Sequence, residues 1–442
     1  MLSDPIAALA TPPGRSALAL IRLSGDAALA VANRIIEGTA PEERRPTLRT
    51  LVAADGAPID VGLVTVFRAP RSYTGEDLVE FCCHGGLLVP AQVLAALHAA
   101  GARGAAPGEF TRRALLNGKL DLLQVEAVGD LIDATAPAQG RAALHQLEGG
   151  LSTRVLALRE ELLELLSLLA YDIDFPEEDD GPVRPERVLA RLDIAARSVA
   201  ALLATAPAGE RLREGALVVL AGRPNAGKSS LFNALLGISR ALVTEIPGTT
   251  RDTIEASSDV LGWPVRLADT AGLRETDERL EQLGIEVSRR YVAGADLLLL
   301  CVESGSLPTP EERELVAARP TLLVRSKADL VAPAEREREE GIAISAVTGE
   351  GLDRLRSAMA ERLFGGPGGY AELEPMLTRE RHRVALGRAE SSLTAARPQL
   401  GRDAVLAAHH VRNAVAALEE LIGLVHPDEV LGRVFERFCV GK

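Results

Sequence analysis

Apolar and polar positions along this chain follow two rhythms. In the first hundred residues the rhythm is that of strands. Residues 17–23, 61–67 and 78–82 are short apolar runs bounded by turn formers. Residues 88–100 have helical composition and stop at Gly101. Three polar loops punctuate this region: Thr11-Pro12-Pro13-Gly14-Arg15, Arg71-Ser72-Tyr73-Thr74-Gly75-Glu76-Asp77 and Pro107-Gly108-Glu109-Phe110-Thr111-Arg112. From Lys119 the period lengthens. Leu151, Val155, Leu158, Leu162, Leu165, Leu166 and Leu169 recur at spacings of three and four, which predicts one helix with a single apolar stripe. It ends near Asp174-Phe175-Pro176, and the acidic run 177–180 reads as a solvated loop. A second helix is predicted over 185–204, and Ala206-Pro207-Ala208-Gly209 reads as a linker.

Beyond residue 213 short apolar runs and helical segments alternate. The runs are 216–221, 265–268, 296–302, 321–325 and 342–344. Such alternation predicts a mostly parallel sheet with helices on both faces. Gly365-Gly366-Pro367-Gly368-Gly369 reads as a second linker, and helices are predicted over 376–398, 402–424 and 428–438. The fold class is therefore α/β and α: a mixed α/β domain over 1–117, a helical domain over 118–212, an inserted α/β domain over 213–366, and the rest of the helical domain over 367–442. Insertion at an exposed loop is easy because domain termini tend to lie close together.

Composition narrows the picture. Of 442 residues 47% are hydrophobic and 25% charged, ordinary for a globular protein. The net charge of −13 means that any RNA partner must meet a local patch or a second protein. Four cysteines form no disulfide framework, and Cys301 lies in a strand-like core run. The first residues lack a signal-peptide pattern, and no run of about 18 apolar residues could span a membrane. A cytoplasmic protein is expected. Lys and Arg total 49, yet lysine occurs only at Lys119, Lys228, Lys327 and Lys442. A chain that otherwise uses arginine keeps a compact ammonium at these places, which marks Lys119 and Lys442 as candidate site residues.

The strongest chemistry lies in Gly222-Arg223-Pro224-Asn225-Ala226-Gly227-Lys228-Ser229, between a strand-like run and a helical pattern. In that context G-x-x-x-x-G-K-[ST] cradles phosphates with backbone N–H groups and a helix N-terminus. Lys228 reaches the phosphates and Ser229 ligates Mg²⁺. Asp269-Thr270-Ala271-Gly272 follows a strand, where a carboxylate holds the metal and a glycine senses the γ-phosphate. Pro247-Gly248-Thr249-Thr250-Arg251-Asp252 lies between, placed to supply a threonine to the metal. Ser326-Lys327-Ala328-Asp329 occupies the place of Asn-Lys-x-Asp, whose aspartate accepts from guanine and finds no such donor pair on adenine. Ser345-Ala346-Val347 matches the last guanine-contacting loop. Together the pieces predict a GTPase. Two departures stand out. Ser326 replaces Asn, which should cost about 1 kcal/mol and leave micromolar-class guanine binding with GTP preferred over ATP. Leu273 replaces a water-positioning glutamine, so another residue must orient the nucleophile, and the acid-rich segment 274–281 follows at once.

Over its full length the chain resembles the tRNA modification GTPase family MnmE, also called TrmE. The resemblance rests on Pro12-Pro13-Gly14-Arg15, Ser72-Tyr73-Thr74-Gly75-Glu76-Asp77, Pro107-Gly108-Glu109-Phe110-Thr111-Arg112, Asn117-Gly118-Lys119-Leu120-Asp121, Phe438-Cys439-Val440-Gly441-Lys442 and the nucleotide motifs. It implies an N-terminal folate-binding and dimerisation domain and a Ras-like GTPase domain. Folate contacts would fall on Arg22, Glu80, Lys119 and Lys442, with a 5-formyl or 5,10-methylene tetrahydrofolate derivative as the ligand. GTP contacts would come from Asn225, Ala226, Gly227, Lys228, Ser229 and Ser230, then from Thr244, Glu245, Ile246, Pro247, Gly248, Thr249 and Thr250. Asp269, Thr270, Ala271 and Gly272 would follow, then Ser326, Lys327, Ala328 and Asp329, and finally Ser345, Ala346 and Val347. The resemblance further implies K⁺ on Asn225, Thr244, Ile246 and Thr249, and Mg²⁺ on Ser229 and Thr250. Glu281 would position water, with Lys228 as the other catalytic residue. Hydrolysis would be driven by K⁺-dependent dimerisation of the GTPase domains.

The partners so implied are a second copy, tRNA, and the FAD-carrying flavoprotein MnmG (GidA) in a heterotetramer or larger assembly. An alternative is a ribosome-assembly GTPase of the Era type, which appends a basic RNA-binding domain; none is seen after Gly369. Cys82-Cys83-His84 is not expected to hold zinc, since adjacent cysteines share a tetrahedral metal poorly. Cys439 is not read as a prenylation signal and is a possible site residue near the folate pocket. The basic run 379–383 is expected to be an exposed helix face, with contact to RNA as the alternative reading.

Overall fold

The computed structural model describes residues 4–38, 41–174, 185–237, 255–269, 290–336, 338–366, 375–424, 434–435 and 438–441, and structural statements below concern these. The chain divides into two compact units, residues 1–129 with 419–442 and residues 130–418.

The first unit is built on a six-stranded sheet. Its strands are β1 (Ile6–Leu9), β2 (Gly14–Ser24), β3 (Thr47–Val52), β4 (Pro58–Phe67), β5 (Leu78–Gly86) and β6 (Arg103–Gly104), in the order β3-β4-β5-β2-β1-β6. Pairing is antiparallel except between β1 and β6. Side-chain alternation divides the sheet into two faces. Ile21, Leu23, Val64, Val66, Val79 and Phe81 are buried with Val31, Val93 and Leu97 of helices α1 (Ala28–Ala32) and α2 (Leu88–Ala99). The opposite face carries Leu18, Leu48, Val61 and Leu63, each at least 42% exposed, in the register Leu48↔Leu63. Strands β1 and β3 escape sequence reading because each is short and lacks a clean alternation. Two further helices, α3 (Glu109–Leu116) and α4 (Leu122–Asp133), follow the sheet.

The terminal tail belongs to this unit. Cys439 O accepts from Gly108 N–H at 3.3 Å. A methyl group on Gly441 would stand 2.3 Å from Leu9 O, and one on Gly108 would meet Phe435 at 2.8 Å. Both positions combine a left-handed backbone with a close approach that only a missing side chain allows.

The second unit holds helices α5 (Pro137–Leu147), α6 (Gly150–Asp174), α7 (Pro185–Leu203) and α8 (Ala206–Glu214), then a second sheet. Its strands are β7 (Ala216–Ala221), β8 (Glu255–Val260), β9 (Trp263–Asp269), β10 (Leu297–Glu303), β11 (Thr321–Ser326) and β12 (Ile342–Ala343). They lie in the order β12-β11-β10-β7-β9-β8, parallel throughout except for the β8–β9 hairpin at one edge. Buried apolar runs such as Leu297–Val302 are what a sheet covered on both faces requires. Strand β8, Glu-Ala-Ser-Ser-Asp-Val, is polar enough for its edge position to read as loop. Around the sheet stand α9 (Lys228–Gly237), α10 (Pro310–Ala318), the short α11 (Pro333–Arg336) and α12 (Leu352–Phe364), followed by α13 (Glu380–Ala396). Helix α14 (Ala404–Ile422) runs from this unit into residues assigned to the first. No helix among the described residues is long and apolar enough to cross a membrane.

Two sequence expectations are corrected here. Ala206-Pro207-Ala208-Gly209 is no linker but the start of α8. Proline sits in the first helical turn, where no N–H is needed, and Gly209 lets the helix approach Leu377 O, which a methyl group would meet at 2.3 Å. The run 379–383 is only in part a solvated face: Glu380 and Arg383 are exposed, the rest is not. His382 is fully buried, Arg379 donates to Asp130 at 2.7 Å, and Arg383 pairs with Glu210 at 3.1 Å. The run starts α13 where that helix packs on α7 and α8. The expected acidic loop at 177–180 lies outside the described residues, as does most of the helix expected at 428–438.

The core of the second sheet extends beyond its own strands and helices. Ala138 of α5 and Leu212 of α8 belong to the same buried cluster as Val218, Leu267 and Leu299. Trp263 stacks on Phe364 with centroids 4.8 Å apart. Two hydrogen bonds lock the same junction: Ala138 N–H donates to Gly262 O at 3.0 Å, and the Gln139 side-chain Nε2 donates to Arg213 O at 2.9 Å.

Candidate functional site

Strand β7 is central and buried, and the chain leaves it at Gly222 with φ +136°. A methyl group there would stand 2.3 Å from Cys301 O of β10, so only glycine fits. The loop continues through Asn225, exposed and left-handed at φ +63°, and Gly227 at φ +82°. Helix α9 then begins at Lys228, which is 6% exposed. Its Nζ donates to Gly222 O at 2.9 Å and Arg223 O at 2.7 Å, so the loop's own carbonyls hold the ammonium in place. Ser229 Oγ donates to Asp269 Oδ2 at 2.8 Å, with Asp269 set opposite Leu220 at the end of β9. A hydroxyl and a carboxylate meeting at a helix N-terminus form a hard-oxygen pair suited to Mg²⁺. Ala226 is buried beneath the loop and Ser230 is exposed on α9. Nearby Cys301 is no nucleophile, since burial pushes its thiol up to about 12.

The remaining described motifs leave the same edge of the sheet, because β7, β9, β10, β11 and β12 are parallel. Ser326 ends β11 at 2% exposure. A methyl group on Gly227 would stand 3.3 Å from Ser326 Cβ, so the two motifs brace one another by packing where an asparagine would use its amide. Lys327 is left-handed at φ +56° and its Nζ pairs with Glu303 at 3.1 Å. Ala328 N–H donates to Ile344 O at 3.0 Å, which presents Asp329 on an exposed turn. Ser345 is fully buried and its Oγ accepts from Thr348 N–H at 3.2 Å, while Ala346 is half-buried and Val347 is 88% exposed. Thr244, Glu245, Ile246, Pro247, Gly248, Thr249, Thr250, Thr270, Ala271, Gly272, Leu273 and Glu281 lie outside the described residues.

The first unit carries a second candidate. Arg22 and Glu80, opposite one another across β2 and β5, pair at 2.9 Å, and the Arg22 guanidinium lies 5.5 Å from the Tyr73 ring centroid. They share the sheet face with Leu18 and Leu63. Lys119 Nζ donates to Pro70 O at 3.1 Å, and its stem lies against Gly75, where a methyl group would come 3.2 Å from Cγ. Gly75 also lines an open cleft of about 390 Å³, together with Asp26, Ala69, Glu76, Arg113, Leu116 and Asn117. Cys439 is exposed on the tail, and Lys442 lies outside the described residues.

Beneath the cleft two of the three polar loops, 71–77 and 107–112, converge on Arg113, which is 1% exposed. It contacts Glu76 at 3.0 Å, Asp4 at 3.1 Å and Glu109 at 3.1 Å. Ser24 donates to Glu76 at 2.9 Å, and Asn117 Nδ2 donates to Thr74 O at 2.7 Å. Burial alone would raise the Glu109 carboxyl, but Arg103, the Ala106 N–H and Arg113 outweigh it and hold it down at about 2. Sequence reading missed Arg113 as a centre. The available signal was Glu109 and Arg113 at i and i+4, one residue past a quoted motif.

Comparison with known proteins agrees over the whole chain. Residues 122–439 match the family model of the MnmE helical domain, and residues 5–119 match that of the GTP-binding protein TrmE N-terminus. A tRNA modification GTPase MnmE of Thermus thermophilus is 47% identical over 445 residues, covering 100% of this chain and 99% of the relative. Its namesake in Laribacter hongkongensis is 43% identical over 451 residues, again covering 100% and 99%. Among solved structures, a variant of Aquifex aeolicus Era bound to GDP·AlF4⁻ is 25% identical, covering 40% of this chain and 67% of that one at a TM-score of 0.27.

Proposed function

The chain belongs to the MnmE family of tRNA modification GTPases, and from that premise we propose how its sites divide the work. GTP is bound and hydrolysed at the loop 222–229. With the flavoprotein MnmG, the protein adds an aminomethyl or carboxymethylaminomethyl group to C5 of the wobble uridine of certain tRNAs, using a tetrahydrofolate one-carbon donor.

The observation that carries the nucleotide half is the convergence of Lys228, Ser229 and Asp269 at the exit of β7 and β9. Ser229 and Thr250 would hold Mg²⁺, which would supply charge to offset the phosphates. Asn225 is exposed at the rim of the loop, where its amide oxygen suits K⁺ alongside Thr244, Ile246 and Thr249. A monovalent cation there offsets charge on the phosphates, the task an arginine does elsewhere. Glu281 takes the water-positioning role that Leu273 cannot fill. Asp329 and the 345–347 loop read the guanine.

The folate half is supported by the cleft beside Gly75 and by Lys119 at its rim. Arg22, Glu80 and Lys442 complete the set, and Cys439 sits in the same unit. A folate bound there supplies the one-carbon unit; the chain's own groups orient its charged ends. The apolar outer face of the first sheet, with Leu18, Leu48, Val61 and Leu63, is a surface that a second copy would cover. The net charge of −13 leaves much of the tRNA contact to the complex, where FAD resides on the partner. Similarity that reaches over the first 119 residues as well favours this reading over a ribosome-assembly GTPase.

Titration of the full chain with 5-formyltetrahydrofolate, followed spectroscopically, tests the folate half. Binding is expected in the native chain and at least about tenfold weaker in Lys119→Ala, with GTP binding unchanged in both. Native protein that ignores the folate refutes the reading, and a variant that binds as tightly as the native chain refutes the role of Lys119.

A further inference from the structure

Arg223 is the first variable residue of the phosphate loop, and the nucleotide motifs give it no task. Its two ends do different things. Its carbonyl oxygen accepts from Lys228 Nζ at 2.7 Å, so its peptide is one of the two that hold the catalytic ammonium. Its side chain leaves the loop altogether. Nε and one terminal nitrogen reach the two carboxylate oxygens of Glu312 at 3.3 and 3.4 Å, and that terminal nitrogen also donates to Leu307 O at 2.7 Å. Glu312 is 5% exposed and belongs to the capping box of α10: its carboxylate accepts from Thr309 N–H at 2.8 Å, and its own N–H donates to Thr309 Oγ1. Burial alone would raise this carboxyl, but the Thr309 N–H and Arg223 hold it below the usual range.

The segment that receives Arg223 is also bonded to the base-reading motif at the end of β11. Ser304 N–H donates to Ser326 O at 3.0 Å, Arg325 donates to Ser306 O at 2.6 Å, and Glu303 pairs with Lys327 at 3.1 Å. Residues 303–312 thus touch the phosphate end and the guanine end of the site at once. A nucleotide must satisfy both ends with one molecule of fixed length, so the spacing between them sets affinity.

We propose that Arg223, forked onto Glu312, is a positioning residue that fixes the phosphate loop on the 303–312 segment and so sets the distance between the phosphate and guanine subsites. A guanidinium suits this because its planar fork meets both carboxylate oxygens and the carbonyl in one fixed geometry, which the rotatable point charge of a lysine does not impose. Its side chain is committed to α10 and is not a charge-stabilising group for the reaction. The inference rests on the reading that this loop binds GTP.

The test is an equilibrium titration of the full chain with a fluorescent GDP analogue, beside steady-state GTP hydrolysis. Arg223→Ala and Glu312→Gln are each expected to weaken binding about tenfold, and the double variant no further, because one interaction is broken in all three. Glutamine keeps an acceptor for Thr309, so α10 stays capped and thermal stability without nucleotide should hold. Turnover at saturating GTP is expected to change less than about threefold, and Arg223→Lys to recover part of the lost affinity. Native protein that fails to bind the analogue refutes the GTP reading itself. Variants that bind as the native chain does, effects that add in the double variant, or a collapse of turnover at unchanged affinity overturn the positioning role.

Discussion

Glu109→Gln should loosen the floor of the first unit's cleft, and by an amount that depends on pH. Glu109 is 6% exposed and its carboxylate takes Arg103, Arg113 and the Ala106 N–H, which together hold its pKa at about 2 against an ordinary 4.5. A group depressed in the folded state stabilises fully above its unfolded pKa, and that stability drains away as pH falls through the folded value. The shift of about 2.5 units corresponds to roughly 3.4 kcal/mol at pH 7, and to roughly 1.4 kcal/mol at pH 3. The single tryptophan, Trp263, belongs to the second unit, so its fluorescence is not the chosen probe. Amide hydrogen exchange across α3 is, since it reads local opening energies directly. Relative to the native chain, Glu109→Gln should lose about 300-fold protection at pH 7 but only about tenfold at pH 3. Equal losses at the two pH values, or a loss under about fivefold at pH 7, would refute the account of the buried charge cluster.

Two further outcomes follow from the nucleotide loop. Gly222→Ala places a methyl group 2.3 Å from Cys301 O at a φ of +136°, so the loop must shift; nucleotide affinity should fall at least about fivefold and up to about 150-fold, since the strain is about 1–3 kcal/mol, as titration calorimetry would show. Exchange of K⁺ for Na⁺ should cut GTP hydrolysis by at least about tenfold, and an unchanged rate in a phosphate-release assay would remove K⁺ from Asn225.

Much of this architecture was legible because the rhythm of apolar residues reports burial directly. Strands β7, β9, β10 and β11 are buried on both faces, and their runs were visible as such. The nucleotide motifs singled out Lys228 and Lys327, which the fold brings to one edge of a sheet, and lysine scarcity singled out Lys119, which it sets beside the cleft. Other features were hidden for physical reasons. Strand β8 is a polar edge whose partner lies on one side only. Proline and glycine at 206–209 mean a linker when the surroundings are water, but a helix start and a close contact when Leu377 is waiting. Arg379 and His382 looked solvated because the acid that pairs with Arg379, Asp130, is 249 residues away. Arg113 drew no notice for the same reason, since Asp4 and Glu76 are brought to it by folding alone.

The shared core of the second unit has a practical side. A fragment cut to residues 213–366 would keep every nucleotide motif, yet leave behind Leu212, Ala138 and Met376. The sheet would then show water a notch where these apolar groups had been packed. By area alone a lost leucine is worth about 2 kcal/mol. Starting the fragment at Ala206 keeps α8, with Leu212 and the Arg211–Asp296 pair at 3.0 Å. The natural border of this GTPase, judged by its oil and not by its motifs, falls inside what the sequence labels the helical domain.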